Sequence, residues 1–475
     1  MLTVVALGLR LGLLGGTAVG AGDNADGLRV FCARGLVPGT PDGLAAWRGV
    51  VVVVFRTGNT PCPVRSSASA ILAATVGDGP TFSLVTLALV YVALTALGVG
   101  IAAGALARVG GWRALLAALP VLPLVVVPWW SRFFVSTYDE PAGLLGTVWV
   151  MLGLVVAAAS RPRHHGPRLA ALALLVVGGV TAATAKPGFV PVGAVAALVC
   201  ALLVLRDRWW RVAGPIAALL TVALAAGPVA NAVALQNEDY PQINTHNLIN
   251  TAVLPELGSG VLAEVGLPPD AAPTIGQGYY WAAARNIPGW PRAIGDRPFD
   301  ARRDAYRVIA EHPTLLPTMV ARGLTATMRP ALSYLPSAPR GSVPERDELR
   351  VVYPEAGALT GLQLDYLDDV ALGWLPAAVI ALALLAGLVT VAPRARRRPT
   401  GTAARLARTA AATSVLALGV VVLAVLGDGY YELTKHVWLA SYLLLMTGVL
   451  GACAAATALT ARRVRAPEIV EQEPR

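Results

Sequence analysis

The sequence predicts an all-α integral membrane protein with about ten transmembrane helices. Of its 475 residues, 56% are hydrophobic and only 14% are charged, whereas soluble domains carry roughly 25% charged residues. Several apolar runs approach or exceed the ~18 residues that cross a bilayer. Nearly all basic residues lie between these runs, where they act as topology signals.

Hydropathy places the ten spans at residues 2–20, 83–107, 114–130, 141–160, 168–185, 189–205, 213–235, 372–393, 409–426 and 437–460. The arginine-rich turns all fall on one side of this arrangement. Because positive charge is retained in the cytoplasm, we expect a multi-pass protein of the cell membrane with both termini cytoplasmic. The run at 2–20 fits either a cleaved signal peptide or a retained first helix, and we favour the helix.

The spans divide the chain into four predicted parts. Residues 1–235 form an N-terminal transmembrane bundle, which includes a first outer loop at 21–80. Residues 236–371 form a larger extracytoplasmic segment, residues 372–460 the last three helices, and residues 461–475 a cytoplasmic tail. The composition shifts sharply at the second boundary, where Asn, Pro, Tyr and charged residues replace Ala, Val and Leu.

Local patterns add detail to the two outer parts. In the first loop, "GVVVVFR" is β-prone, and "SSASAILAATVG" predicts a short helix lying on the membrane. In the second part, "FDARRDAYRVIAEH" predicts a helix with Tyr306, Val308 and Ile309 near one face. The run "TLLPTMVARGLTATM" predicts a second, interfacial helix.

Charge and cysteine content restrict the class further. The net charge is +10, but no nucleic-acid-binding pattern accompanies it, so we expect no nucleic-acid partner. Cys200 and Cys453 lie in apolar runs and are expected to be core residues. Cys32 and Cys62 share the first outer loop and are a disulfide candidate, since that loop is expected to face an oxidising compartment.

The predicted outer face carries an unusual density of charge at the membrane boundary. The stretch "GDGYYELTKH", residues 427–436, alone holds two acids, two tyrosines, a lysine and a histidine. Such groups can simply solvate turns, but a turn needs only one or two polar residues. The boundary residues are Asp23, Asp26, Asp139, Glu140, Lys186, Asp428, Glu432, Lys435 and His436.

Carboxylates, cations and aromatic rings at this depth suit a lipid-linked sugar phosphate. The lipid tail lies in the membrane and the head group lies at its surface. Glycosyl transfer needs a carboxylate that takes a proton from the acceptor hydroxyl. It also needs cations, or a metal, that stabilise the departing phosphate, and aromatic rings favour both sugar faces and the interface.

The stretches "GDNADGLRVFCARGL" and "GDGYYELTKHVWL", with "YDEPAG" and "AKPGF", resemble the GT-C class of polyprenyl-phosphate-dependent glycosyltransferases. Within that class they resemble the bacterial hexose transferase family of surface-layer glycan biosynthesis. The likeness implies a GT-C-like fold and inversion at the anomeric carbon. The implied partners are a polyprenyl-phosphate-linked sugar donor, a glycan or lipid acceptor and membrane lipids.

The resemblance also implies roles for the boundary residues. The catalytic carboxylate is Asp26 or Asp23; we favour Asp26, with Asp23 orienting it or holding a cation. Family members use an adjacent Asp-Glu in the first loop, whereas this chain has that pair at 139 and 140, so the identity of the base stays open. Lys186, Lys435 and His436 are candidates for the phosphate, and Asp428 and Glu432 for sugar hydroxyls.

No cofactor is assigned from the sequence, and metal dependence stays open, with a divalent cation at Asp23 and Asp26 as the alternative. Two other functions share the membrane setting. A lipid or glycan transporter (flippase) would place ionisable groups inside the spans, and apart from Arg10 the span interiors are nearly uncharged. A polymerase or ligase of lipid-linked glycans differs mainly in lacking the first-loop carboxylate.

Overall fold

The structure is a computed structural model that describes residues 1–15, 18–39, 51–77, 79–203, 205, 211–280, 282, 284–332, 335, 337, 370–391 and 401–463. Most of the predicted cytoplasmic tail and residues 338–369 of the second outer part therefore lie outside the described residues. So do the arginine-rich turns at 206–210 and 392–400.

Six helices among the described residues are long and apolar enough to cross a membrane. They are α4 (Leu84–Ala107), α7 (Glu140–Ala159), α8 (His165–Ala183), α10 (Ala213–Asp239), α16 (Thr402–Asp428) and α18 (Trp438–Arg463). Two shorter apolar helices, α9 (Val190–Leu202) and α15 (Leu375–Val391), occupy two further predicted spans. The chain is therefore a mostly helical membrane protein.

Two of the ten predicted spans are not single long helices. Among its described residues, the first predicted span holds one short helix, α1 (Leu2–Arg10), after which Gly12 adopts a left-handed backbone with φ of 65°. The third breaks into a 3₁₀ segment (Gly111–Ala118) and two short helices, α5 (Leu122–Val126) and α6 (Pro128–Ser131). Prolines interrupt this run, because each removes a backbone donor and clashes with the preceding turn.

Helix α7 is the centre of the bundle. In its most apolar 18-residue stretch 94% of the residues are buried, compared with 17% for α10, which is largely exposed. It packs against α8, α4 and α16. A Cβ added at Gly146 of α7 would lie 2.5 Å from the backbone of α8, so small residues bring these two helices into close contact.

The first outer loop contains the only strands among the described residues, so the all-α prediction is incomplete there. Strands β1 (Leu36–Pro38), β2 (Val54–Thr57) and β3 (Thr81–Ser83) form an antiparallel sheet in that order. Leu36 pairs with Thr57, and Val54 pairs with Ser83. The β-prone run supplies β2. The loop also holds α2 (Leu28–Cys32) and α3 (Ser67–Thr75), and Cys32 and Cys62 form a disulfide.

The second outer part is folded against the bundle. It contains α11 (Pro241–Asn247), α12 (Leu254–Leu257), α13 (Pro298–Glu311) and α14 (Leu315–Ala326), with a π-helical stretch at Leu248–Val253. Helices α13 and α14 lie where the sequence predicts them. Val308 and Ile309 are both buried, but Tyr306 is 41% exposed, so the prediction that all three share one face is wrong for Tyr306.

Candidate functional site

A polar cavity of about 360 Å³ lies where the first outer loop, the end of α10, α11 and the turn after α16 meet. That turn includes the one-turn helix α17 (Leu433–His436). Five of the nine predicted boundary residues line the cavity: Asp26, Lys186, Asp428, Glu432 and His436. Chain segments more than 400 residues apart in sequence thus form one concave surface.

Asp23 faces its own loop. Its Oδ1 atom accepts hydrogen bonds from the backbone N–H groups of Ala25 (2.8 Å) and Gly27 (3.1 Å), and Thr137 donates to Oδ2. A Cβ at Gly27 would collide with Asp23 and Thr137, so glycine is required there. Burial raises the pKa of Asp23 to about 7, against these backbone bonds, which favour the ionised form. Asp23 therefore shapes the loop that presents Asp26.

Asp26 forms an ion pair with Lys435, whose side chain is only 1% exposed. The Asp26 side chain is 36% exposed, and it lines the cavity. Burial raises the pKa of Asp26, but the charges of Lys435, Lys186 and Arg29 outweigh it and hold that pKa below its ordinary value. Asp26 is therefore an ionised carboxylate at the cavity wall, and Lys435 is a buried cation behind it.

The backbone on both sides of this pair is strained. Ala25 has a φ of 98° and Glu432 a φ of 45°, a region that residues with a side chain rarely adopt. Such conformations cost on the order of 1–3 kcal/mol each and persist where the surroundings enforce them. Glu432 lies 3.4 Å from the Lys435 ammonium, so both strained residues flank the same ion pair.

Asn24 joins the two ends of the chain and was not among the predicted site residues. Its side-chain amide donates to both Glu432 carboxylate oxygens, at 3.1 and 3.3 Å. Its backbone N–H donates to the Tyr138 hydroxyl at 2.8 Å, and Lys435 lies 5.4 Å from the centre of the same tyrosine ring. The feature of the sequence that could have identified Asn24 is its position between the two aspartates of "GDNADG".

Asp139 and Glu140 lie beside a second, smaller pocket that shares Lys186, Arg29 and Tyr240 with the main cavity. Glu140 is buried and pairs with Lys186 at 3.0 Å. Ser66 donates to Asp139 at 2.9 Å. Burial, with the adjacent Glu140 carboxylate, raises the pKa of Asp139 to about 7.

Asp428 and His436 pair across the turn, with 3.1 Å between Nε2 and Oδ2. Asn247 of α11 donates to the other Asp428 oxygen at 2.8 Å and accepts from the Tyr279 backbone N–H at 2.9 Å. The site thus includes amide groups from the second outer part. No site residue was predicted in that part of the chain, although its run "NTHNLIN" is rich in polar groups.

Arg29 and Tyr240 also line the cavity, and sequence reasoning missed both. The Arg29 guanidinium lies 4.3 Å from the centre of the Tyr240 ring. Burial lowers the pKa of Arg29, but Asp26 and Tyr240 raise it by a larger amount, so the pKa lies above its ordinary value. Tyr280 and Tyr431 add two more rings to the lining. The main cavity therefore combines fixed cations with aromatic faces.

A divalent cation shared by Asp23 and Asp26 does not fit this arrangement. The Asp23 oxygens accept from its own loop and from Thr137, and Asp26 is paired with Lys435. Among the described residues, no cluster of three or more His, Cys, Asp or Glu side chains could hold a metal ion. The cationic side chains of Lys186 and Arg29 line the cavity instead.

His246 lies in α11 of the second outer part, where it is fully buried and holds neighbouring segments together. Its Nδ1 atom accepts from the Trp290 indole N–H at 3.1 Å, so Nε2 carries the proton and donates to the Gln277 carbonyl at 3.1 Å. Burial lowers its pKa to about 4, against the effect of the Gln277 hydrogen bond, so the ring is neutral near pH 7.

The model of one protein family, described as the YfdI N-terminal transmembrane domain, matches residues 2–289, which is 288 of the 475 residues. Neither the curated proteins nor the solved structures contain a significant match. The matched region includes Asp26, Lys186 and Asn247, whereas the turn with Asp428 and Lys435 lies beyond it.

Proposed function

Because the chain belongs to the family of the YfdI N-terminal transmembrane domain, we propose that it is a membrane glycosyltransferase of the GT-C class. YfdI is described as glycosyltransferase-like. The proposed reaction moves a hexose from a polyprenyl-phosphate donor to a glycan or lipid acceptor outside the cytoplasm, with inversion. The observation that carries the proposal is the Asp26–Lys435 pair on a cavity that also presents Lys186 and Arg29.

Asp26 is the proposed general base. In a single displacement, the acceptor hydroxyl oxygen attacks the anomeric carbon, the bond from that carbon to the phosphate oxygen breaks, and the acceptor proton passes to Asp26. The low pKa that Lys435 imposes makes Asp26 a weak base while the two are paired. A donor phosphate bound at Lys186 and Arg29 offsets their charges, which also lower the pKa of Asp26, and so raises that pKa when the sugar is in place.

The cations of the cavity stabilise the departing phosphate. Lys186 and Arg29 line the cavity and are held in position by Glu140 and Tyr240, and the buried Lys435 adds its charge from behind Asp26. Preorganised cations of this kind stabilise developing negative charge without reorganising during the reaction. Arginine and lysine both bind phosphate, arginine through a planar fork and lysine as a point charge.

The remaining lining suits a sugar ring. Tyr240, Tyr280 and Tyr431 offer aromatic faces, and sugars stack on such faces. Asp428, Glu432 and Asn247 offer oxygens and an amide for hydroxyl groups. The volume of about 360 Å³ lies within the range of small-molecule sites, roughly 300–1,000 Å³.

The test compares Asp26→Asn, Asp139→Asn and Asp270→Asn in membranes supplied with polyprenyl-phosphate-linked hexoses that carry a radioactive sugar. Asp270 is an exposed carboxylate of the second outer part and serves as the matched control. We expect Asp26→Asn to lower sugar transfer roughly 100-fold or more, since general bases contribute 10²–10⁴-fold. The control variant should keep the wild-type rate.

Three results would contradict the assignments. Full activity of Asp26→Asn would remove Asp26 as the base, and loss in Asp139→Asn alone would transfer the role to Asp139, whose pKa of about 7 suits proton transfer. If the wild type moves lipid-linked sugar between leaflets without transferring it, the protein is a flippase and the proposed reaction is wrong.

A further inference from the structure

A second charged cluster lies at the opposite end of the bundle from the cavity. Helix α7 begins at Glu140 beside the cavity and ends at Ala159, twenty residues later. At 1.5 Å per residue this is about 30 Å, the thickness of the hydrocarbon core. The residues just beyond its end therefore lie at head-group depth in the other leaflet.

Arginines from separate elements meet at that end. Arg168 of α8 and Arg405 of α16 both donate to the Ser160 carbonyl oxygen, at 3.5 and 3.1 Å. The charges of Arg113, Arg161, Arg168 and Arg408 all act on Arg405. We call Arg113, Arg161, Arg168, Arg405 and Arg408 the arginine cluster.

Positive charge is concentrated further by two helix ends. Helices α8 and α16 both begin here, and neither has a side-chain cap at its N-terminus. Helix N-termini carry a partial positive charge and favour anions, yet the first turns hold Arg168 and Arg405. The Arg405 Nε atom is also buried without a hydrogen-bond partner.

Retention of positive charge in the cytoplasm explains why each turn contains arginines. It does not require the arginines of different turns to lie close together in the folded protein. Arg113 and Arg405 are almost 300 residues apart in sequence. Within the described part of the chain, no carboxylate forms an ion pair with Arg161, Arg405 or Arg408. The like charges of Arg161, Arg405 and Arg408 repel one another, and an anion bound among them lowers that repulsion.

We propose that the arginine cluster binds a phosphate group, and that an anionic lipid head group supplies it. The cluster lies at head-group depth, and basic pockets between transmembrane helices on the cytoplasmic side bind such head groups. Guanidinium groups match phosphate geometry, and the two helix N-termini add backbone donors. The site is separate from the cavity that carries the proposed glycosyl transfer.

The experiment titrates purified full-length protein in neutral detergent with three probes: short-chain phosphatidylglycerol, phosphatidylcholine of the same chain length, and inorganic phosphate. Binding is followed by microscale thermophoresis on the wild type and on Arg161→Gln, Arg161→Gln/Arg405→Gln and Arg303→Gln. Arg303 is an exposed arginine of α13, on the cavity side, and gives the same charge change elsewhere.

We expect phosphatidylglycerol to bind the wild type more tightly than phosphatidylcholine, and more weakly as salt rises. The double variant should lose roughly 10- to 30-fold in affinity, since each basic residue near the surface contributes about 5-fold. Arg303→Gln should bind as the wild type does. If inorganic phosphate binds as tightly as the lipid, the phosphate site is supported and its source is a soluble anion.

Equal affinity of the double variant and the wild type for phosphatidylglycerol would overturn the proposal, as would equal binding of phosphatidylcholine. The melting temperature of each variant is measured in the same detergent. Arg161 is exposed on a turn, so Arg161→Gln provides the test if the double variant fails to fold, with an expected loss of about 5-fold.

Discussion

The two members of the Asp26–Lys435 pair differ in exposure, and this difference leads to a prediction. Replacing Asp26 alone should destabilise the protein, and replacing Lys435 as well should restore most of the lost stability. Lys435 is 1% exposed and cannot be hydrated in place, whereas Asp26 is 36% exposed at the cavity. Asp26→Asn therefore leaves a buried cation with Glu432 at 3.4 Å as its remaining carboxylate partner in the described structure. Breaking a buried pair costs about 3–5 kcal/mol, and the remaining partner favours the lower end.

Asp26→Asn/Lys435→Met removes both charges. Replacing a buried ion pair by uncharged side chains of similar volume is often neutral or stabilising. We therefore expect the double variant to recover most of the ~3 kcal/mol lost in Asp26→Asn. At roughly 2.1 cal/mol/K per residue, the unfolding entropy of 475 residues is about 1 kcal/mol/K, so the losses correspond to a few degrees.

The assay is thermal unfolding followed with a thiol-reactive fluorescent dye. Cys200 is fully buried and becomes reactive only on unfolding, and Cys453→Ser removes the partly exposed second thiol. Lys435→Met alone serves as the third corner of the double-mutant cycle. In the refuting case, the loss of melting temperature in the double variant equals the sum of the losses in the two single variants. The two residues are then not coupled, and the buried pairing is wrong.

Two further predictions concern the outer parts. The pKa of His246 is about 4, below its ordinary 6.5. The neutral ring therefore contributes roughly 3 kcal/mol to the free energy of unfolding above pH 6.5, and this contribution is lost as the pH falls from 6.5 through 4. The stability gap between the wild type and His246→Gln, measured by the same dye, should narrow over that range, and a constant gap would contradict it. The Cys32–Cys62 bridge closes a loop of 30 residues and should stabilise the fold by roughly 3–4 kcal/mol on loop entropy. Cys32→Ser/Cys62→Ser should melt several degrees lower, and an unchanged melting temperature would show that the loop is held by its sheet.

The sequence predicted the elements that depend on hydropathy. Helices α4, α7 and α10 are long apolar runs, and their pattern alone identifies them. The third predicted span has similar hydropathy, but Pro120, Pro123 and Pro128 break it into short pieces. Hydropathy averages over a window and does not register where a backbone donor is missing.

The candidate site was predictable in part for a similar reason. Charged residues at membrane boundaries identified Asp26 and Lys186, but the two aspartates of "GDNADG" are indistinguishable by composition. Which one faces the cavity depends on the backbone bonds that Asp23 accepts, and these exist only in the folded loop. Asn24 and Tyr240 are uncharged, so a search for charge could not find them.

The contact between the first outer loop and the turn after α16 has a consequence for how the protein is made. Asn24 is synthesised more than 400 residues before Glu432, to which it donates. During translation, Asp26 and its loop leave the ribosome long before the lysine that neutralises that carboxylate exists. The lining of the cavity is therefore complete only after the turn that follows α16 has been synthesised. A chain truncated before that turn would lack the partners of both Asn24 and Asp26.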